Sequence, residues 1–177
     1  HDTNVILFLR YILHPQYVSD LFKTSEQDSK RIAIDYLQRT KHALIIFIQS
    51  VIESYYRAFC ACFGTKVPTN FSKVYEALFN QYNIPKENDW FKANKILAKV
   101  RNTLHYNGIH TMPDDTVVYH GRNYIFSQNT LHNAAGYETI IYIISDLIDF
   151  LRHIGSESSN IKLVNNNGCV DYFNLPY

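Results

Sequence analysis

Apolar residues recur at helical spacing through most of the chain, and five segments carry that pattern well enough to predict helices. The first spans about residues 3 to 22, with Pro15 expected to break or kink it. The second starts after Thr24 or Ser25, either of which can cap it, with Gln27 or Asp28 in its first turn and Gly64 as its stop. Unbroken, it would extend about 55 to 60 Å and form the spine of a bundle. A third helix is expected over about 69 to 81, capped by Thr69 or Asn70 after Pro68, and a fourth from Pro85 to Asn107-Gly108. The last should run from about Thr130 to His153 and end at Gly155.

Two stretches break this rhythm. TVVYHGRNYIFS, 116 to 127, alternates and turns, with Gly121 in the first central position of a II′ hairpin and Arg122 in the second. IKLVNNNGCVDYF in the tail predicts a second small hairpin around Asn165 to Gly168. The expected fold class is all-α, a helical bundle with one or two small β-hairpins after the fourth helix and at the C-terminus, forming a single domain over 1–177.

Composition narrows the function. With 177 residues and 46% apolar content, the chain can bury one substantial core. A net charge of +1 does not supply the broad positive field of a duplex-coating protein, so any nucleic-acid contact should be local. Cys60, Cys62 and Cys169 have neither zinc-knuckle spacing nor an even count for a disulfide framework, which suits a reducing, cytoplasmic setting. The chain opens HDTNVILFLRYIL, with neither an initiator methionine nor a small-residue cleavage site, so no signal peptide is expected and the start reads as a boundary. The most apolar stretch, Ala43 to Phe63, is interrupted by Gln49, Glu53 and Arg57, so no membrane span is expected.

Candidate chemistry concentrates on the fourth helix. Trp90, Ala93, Leu97, Val100 and Leu104 form one apolar stripe. The adjacent column holds Asn94, Ala98, Arg101 and His105; at about 100° per residue, Arg101 and His105 lie within about 40° of each other beside the core face. Both are therefore expected to be adjacent and partly buried. Histidine titrates near neutrality and can move protons, whereas arginine keeps its charge and offers a fork that fits phosphate oxygens. Such a pair suits attack of a ribose 2′-hydroxyl on its own phosphodiester. The same spacing also fits a plain helix end, where cations interact favourably with the dipole and the open carbonyls.

The stretch RNTLHYNG, near the end of a late helix in a compact bundle, resembles the signature of the HEPN superfamily: an arginine, commonly followed by Asn, Asp or His, then a histidine beyond a short spacer. Arg101 matches the arginine, Asn102 the polar residue and His105 the histidine. The resemblance implies a metal-independent endoribonuclease without cofactor, of the kind found in toxin–antitoxin, abortive-infection or other antiviral systems. It also implies a homodimer that brings two motifs together around an RNA substrate, with an antitoxin or defence-system partner. The spacer here is three residues, one below the family's usual minimum, and Tyr106 directly follows His105, so the tyrosine-modification signature of some members is not carried over.

Around this motif, Gln49, Ser50, Glu53, Ser54 and Arg57 share one sector of the spine helix, with Glu53 and Arg57 at i, i+4. Glu53, Arg57 and Asn107 are candidates to orient the motif, and Glu53 could reach Arg101 or His105 across the bundle. Tyr106, with Tyr119, Arg122 and Tyr124 of the hairpin, are candidate contacts for single-stranded RNA. His110, His120 and His132 share no metal-ligand spacing, and Asp114 and Asp115 fall in a turn, so no metal site is expected. Two other functions fit the same chain: a non-catalytic module binding a nucleotide, RNA or partner protein, and a helical dimerisation domain of a longer polypeptide.

Overall fold

The computed structural model describes residues 15–62, 67–131 and 136–158. Contacts divide the chain into two compact units, 1–44 and 45–177. The first unit holds α1 (Pro15–Phe22) and the start of α2 (Glu26–Cys62), a helix of 37 residues. Pro15 opens α1 as a first-turn proline; the part of the expected first helix before it lies outside the described residues. Ser25 caps α2: its hydroxyl accepts from Asp28 N at 3.1 Å and donates to the Asp28 carboxylate at 2.8 Å. By length and composition, Glu26–Ala61 is apolar enough to cross a membrane, with mean hydropathy 1.2 over its most apolar 18 residues. Gly64 lies outside the described residues.

The second unit contains the rest of α2, then α3 (Phe71–Gln81), α4 (Asp89–His105), β1 (Asp115–Tyr119), β2 (Arg122–Phe126) and α5 (Tyr137–Ser158). Helices dominate, with one small antiparallel sheet in which Val117 faces Tyr124 and Tyr119 faces Arg122. α4 is the centre, packing on α3, α5 and β1. Its predicted stripe faces inward through Ala93, Leu97 and Val100, with Trp90 and Leu104 half-buried. Neighbours on several sides also bury Phe91, Asn94, Ile96, Ala98 and Thr103. Around it Phe79 stacks on Phe150 at 4.4 Å and meets Phe91 edge-on at 5.2 Å, while Phe150 meets Tyr56 of α2 at 5.5 Å.

Four expectations shift. α4 starts at Asp89 instead of Pro85, because residues 85–88 form a turn and the Asn88 side chain accepts from Trp90 N at 2.8 Å. α5 starts at Tyr137 instead of Thr130: Ser127 to Leu131 is tied back to 109–110, with His110 N donating to Thr130 O and Ile109 bridging Leu131. α5 also passes through Gly155, since fully buried Ile154 anchors its last turns on the core. The hairpin turn is His120-Gly121, both at positive φ (46° and 72°), hence type I′ instead of II′. The tail hairpin around Asn165 to Gly168 lies outside the described residues.

β1 is fastened to α4 by Asp115, whose Oδ2 accepts from Lys95 at 2.8 Å and Lys99 at 2.9 Å. Burial alone would raise the Asp115 pKa, but the hydrogen bonds and charges of the two lysines outweigh it and hold it below the ordinary 3.8. A depressed carboxylate stabilises the fold above its unfolded pKa, and that contribution is lost as pH falls through the folded value. Asp115→Asn should therefore cost about 1 to 2 kcal/mol at pH 7 in urea unfolding, after allowing for solvent around Lys95. The deficit should shrink towards pH 3; an equal deficit at both pH values would contradict this account.

Candidate functional site

The motif sits on the last turns of α4. The helix ends because Asn107 adopts φ 53° and Gly108 φ 87°, letting Gly108 N donate to Thr103 O at 2.7 Å in a Schellman-type closure. Asn107 is thereby a stop residue of the motif helix, exposed along with Tyr106. Arg101 and Asn102 are half-buried and line a cavity of about 340 Å³. Arg101 makes no hydrogen bond or ion pair with any described residue.

The cavity has three walls. α4 supplies Ala98, Arg101 and Asn102, α2 supplies Gln49 and Glu53, and the third wall is 69–72 at the start of α3. Asn70 caps α3, its side chain accepting from Ser72 N at 2.8 Å. The positive end of that helix borders the cavity.

Arg57 fixes this arrangement. Its guanidinium donates to Glu53 Oε1 through Nε at 2.9 Å and also through Nη2. The remaining bonds run to Pro68 O at 2.6 Å and Thr69 O at 2.8 Å. The i, i+4 pair read from the sequence thus fastens the spine helix to the loop before α3. Glu53 shares the cavity with Arg101, while its hydrogen bonds run to Arg57. Gln49 is only 3% exposed, so this sector of α2 is not a plain solvated face.

His105 departs from expectation. It is exposed and does not line the cavity: in this last turn Thr103 is the buried residue and Leu104 is half-buried, so the covered side of the helix there is not the one that carries His105. The two motif side chains remain one turn apart on one helix, about 6 Å along its axis.

The hairpin residues expected to grip RNA are engaged elsewhere. Tyr119 is fully buried, and its hydroxyl donates to Asp146 Oδ2 at 2.7 Å. Burial and that bond push the hydroxyl far above the usual tyrosine range. Arg122 forms a two-pronged pair with Glu138 at 2.8 and 3.0 Å, and the Tyr124 hydroxyl meets Thr139 at 2.8 Å. A buried ring cannot stack on RNA, so Tyr119 is a docking residue, with Arg122 and Tyr124, of the hairpin on α5. His120 joins them, its Nε2 lying 3.1 Å from Asp146 Oδ2 and its ring stacked on Tyr142.

His110 is buried against Phe126, with Nε2 3.3 Å from Pro113 O, which is a structural role. Asp114 accepts from Gln128 N at 2.6 Å. Among the described residues no group of three or more His, Cys, Asp or Glu is placed to hold a metal; His132 lies outside them. Sequence reasoning missed the wall at Phe71 and Ser72. Its only signal was the Pro68-Thr69-Asn70 cap, which located the helix start without saying what it faces.

Comparison with known proteins finds no matching family, no matching curated protein and no matching solved structure.

Proposed function

We propose that this chain is a metal-independent endoribonuclease of HEPN type. The observation that carries the reading is Arg101: a permanently charged side chain, without a partner among the described residues, bordering a polar cavity one turn from an exposed histidine. An unpaired arginine beside a cavity is poised for an anion, and a phosphodiester fits its fork.

In this reading Arg101 and Asn102 hold the scissile phosphate at the cavity mouth. His105 takes the proton from the 2′-hydroxyl, the 2′ oxygen bonds to phosphorus, and the bond to the 5′ oxygen breaks. The departing 5′ oxygen takes up a proton, leaving a 2′,3′-cyclic phosphate and a 5′-hydroxyl. An exposed His105 is reachable by a second protomer, whose own motif would complete a composite site around one RNA strand. The setting is cytoplasmic, with an antitoxin or defence-system partner restraining the activity.

The position of His105 outside the cavity favours one second reading, a non-catalytic module whose cavity binds nucleotide or RNA. Incubating the full chain with mixed cellular RNA in EDTA separates the two. Fragments ending in 2′,3′-cyclic phosphate are expected; intact RNA, or cleavage only after a divalent metal is added, would overturn the ribonuclease reading.

A further inference from the structure

Gln49 is buried in the cavity wall, its Oε1 closed to solvent and without a hydrogen-bond partner among the described residues. One turn along α2, Glu53 receives both Arg57 bonds on Oε1, and no bond to Oε2 is formed among the described residues. Glu53 Oε2 is therefore the open acceptor that this wall offers to an N–H donor. The α4 wall carries a cation in Arg101 beside the Asn102 amide, and Phe71 of the third wall is an aromatic residue.

A cavity of about 340 Å³ lies at the lower end of the range that holds small organic ligands, more than a lone phosphate needs. Its ligand should carry an anion at one end and paired N–H donors at the other. Among the nucleobases, guanine presents two adjacent donors, N1–H and the N2 amino group, which a carboxylate can accept together. Adenine and cytosine offer a single amino group. Uracil sets one N–H between two carbonyls, which a carboxylate repels.

We infer that the cavity is a nucleotide subsite selective for guanine, with the phosphate against Arg101 and Asn102 and the amino edge of the base against Glu53. The inference rests on the ribonuclease reading in that this nucleotide is the one flanking the scissile phosphate. Recognition itself needs no cleavage.

Calorimetric titration of the full chain in EDTA with 5′-GMP, AMP, CMP, UMP and inorganic phosphate tests it. GMP should bind at least about tenfold more tightly than UMP, since a site built around hydrogen bonds rejects ligands lacking the donors. Glu53→Gln, which keeps an acceptor for Arg57, should erase most of that preference. Equal affinity for GMP and UMP, phosphate binding as tightly as GMP, no heat with any ligand, or a preference unchanged in Glu53→Gln would each overturn the subsite. A chain that binds GMP selectively yet cuts no RNA keeps the subsite and removes the ribonuclease reading. One that cuts RNA but binds all four nucleotides alike does the reverse.

Discussion

Replacing His105 by alanine is expected to lower RNA cleavage by about 10²- to 10⁴-fold, the range that a positioned acid–base group contributes. Arg101→Ala should lower it by a similar order, since removing one preorganised charge-stabilising donor typically costs about 10²- to 10³-fold. Neither change should unfold the chain. His105 is exposed, and Arg101 makes no hydrogen bond or ion pair with a described residue, so truncation orphans no partner. Substitutions of that kind usually move stability by no more than about 0.5 kcal/mol. Initial rates in EDTA, paired with thermal melts of the same samples, read both quantities. A large rate loss with an unchanged melt places the pair in the chemistry. Full activity in His105→Ala would end the mechanism, and a collapsed melt would assign the residue to the fold.

How far this site could be seen from sequence depends on what each residue's place was decided by. Local rules located α3: Asn70 is a capping residue, and Phe71, Val74, Tyr75, Leu78 and Phe79 repeat at helical spacing, all of them buried. The Ser25 and Asp28 pair likewise marked the start of α2. Helical geometry fixed the azimuth of Arg101 and His105 but not their depth, which depends on whether another element covers the last turn. Strand alternation did carry the correct signal for Tyr119, which shares a face with buried Val117. Its hydroxyl drew attention to the surface, yet the acceptor stood on α5 at Asp146.

Where long-range contacts decided, local reading failed. His120 occupies a left-handed turn position that a non-glycine residue enters at a cost of about 1 kcal/mol. Asp146 and Tyr142 hold it there from another element. The late start of α5 has the same origin, because Thr130 and Leu131 are committed to pairing with 109–110. The cavity is the strongest case. Gln49 and Glu53 looked like one polar sector of a helix, and only the approach of α3 and α4 turns that sector into a wall.

The complement of a residue that serves function without holding the fold is Phe150. It is fully buried on α5 and meets Phe79 of α3 at 4.4 Å, Tyr56 of α2 at 5.5 Å and Trp90 of α4 at 5.9 Å. Those three helices are the ones that supply the cavity walls. Phe150→Ala removes the ring they share, and buried Phe to Ala changes cost about 3 to 5 kcal/mol, a large fraction of a domain's total stability. Phe150→Leu fills most of the space and should cost considerably less. Urea unfolding should rank wild type above Leu and Leu above Ala. Nucleotide binding should weaken in the same order, because the walls lose their common support before any lining residue has changed. If Phe150→Ala lowered stability by less than about 1 kcal/mol, the aromatic cluster would not be what holds the walls together. Undiminished binding in a strongly destabilised variant would instead show that Arg57, through its bonds to Glu53, Pro68 and Thr69, is enough to keep the cavity open.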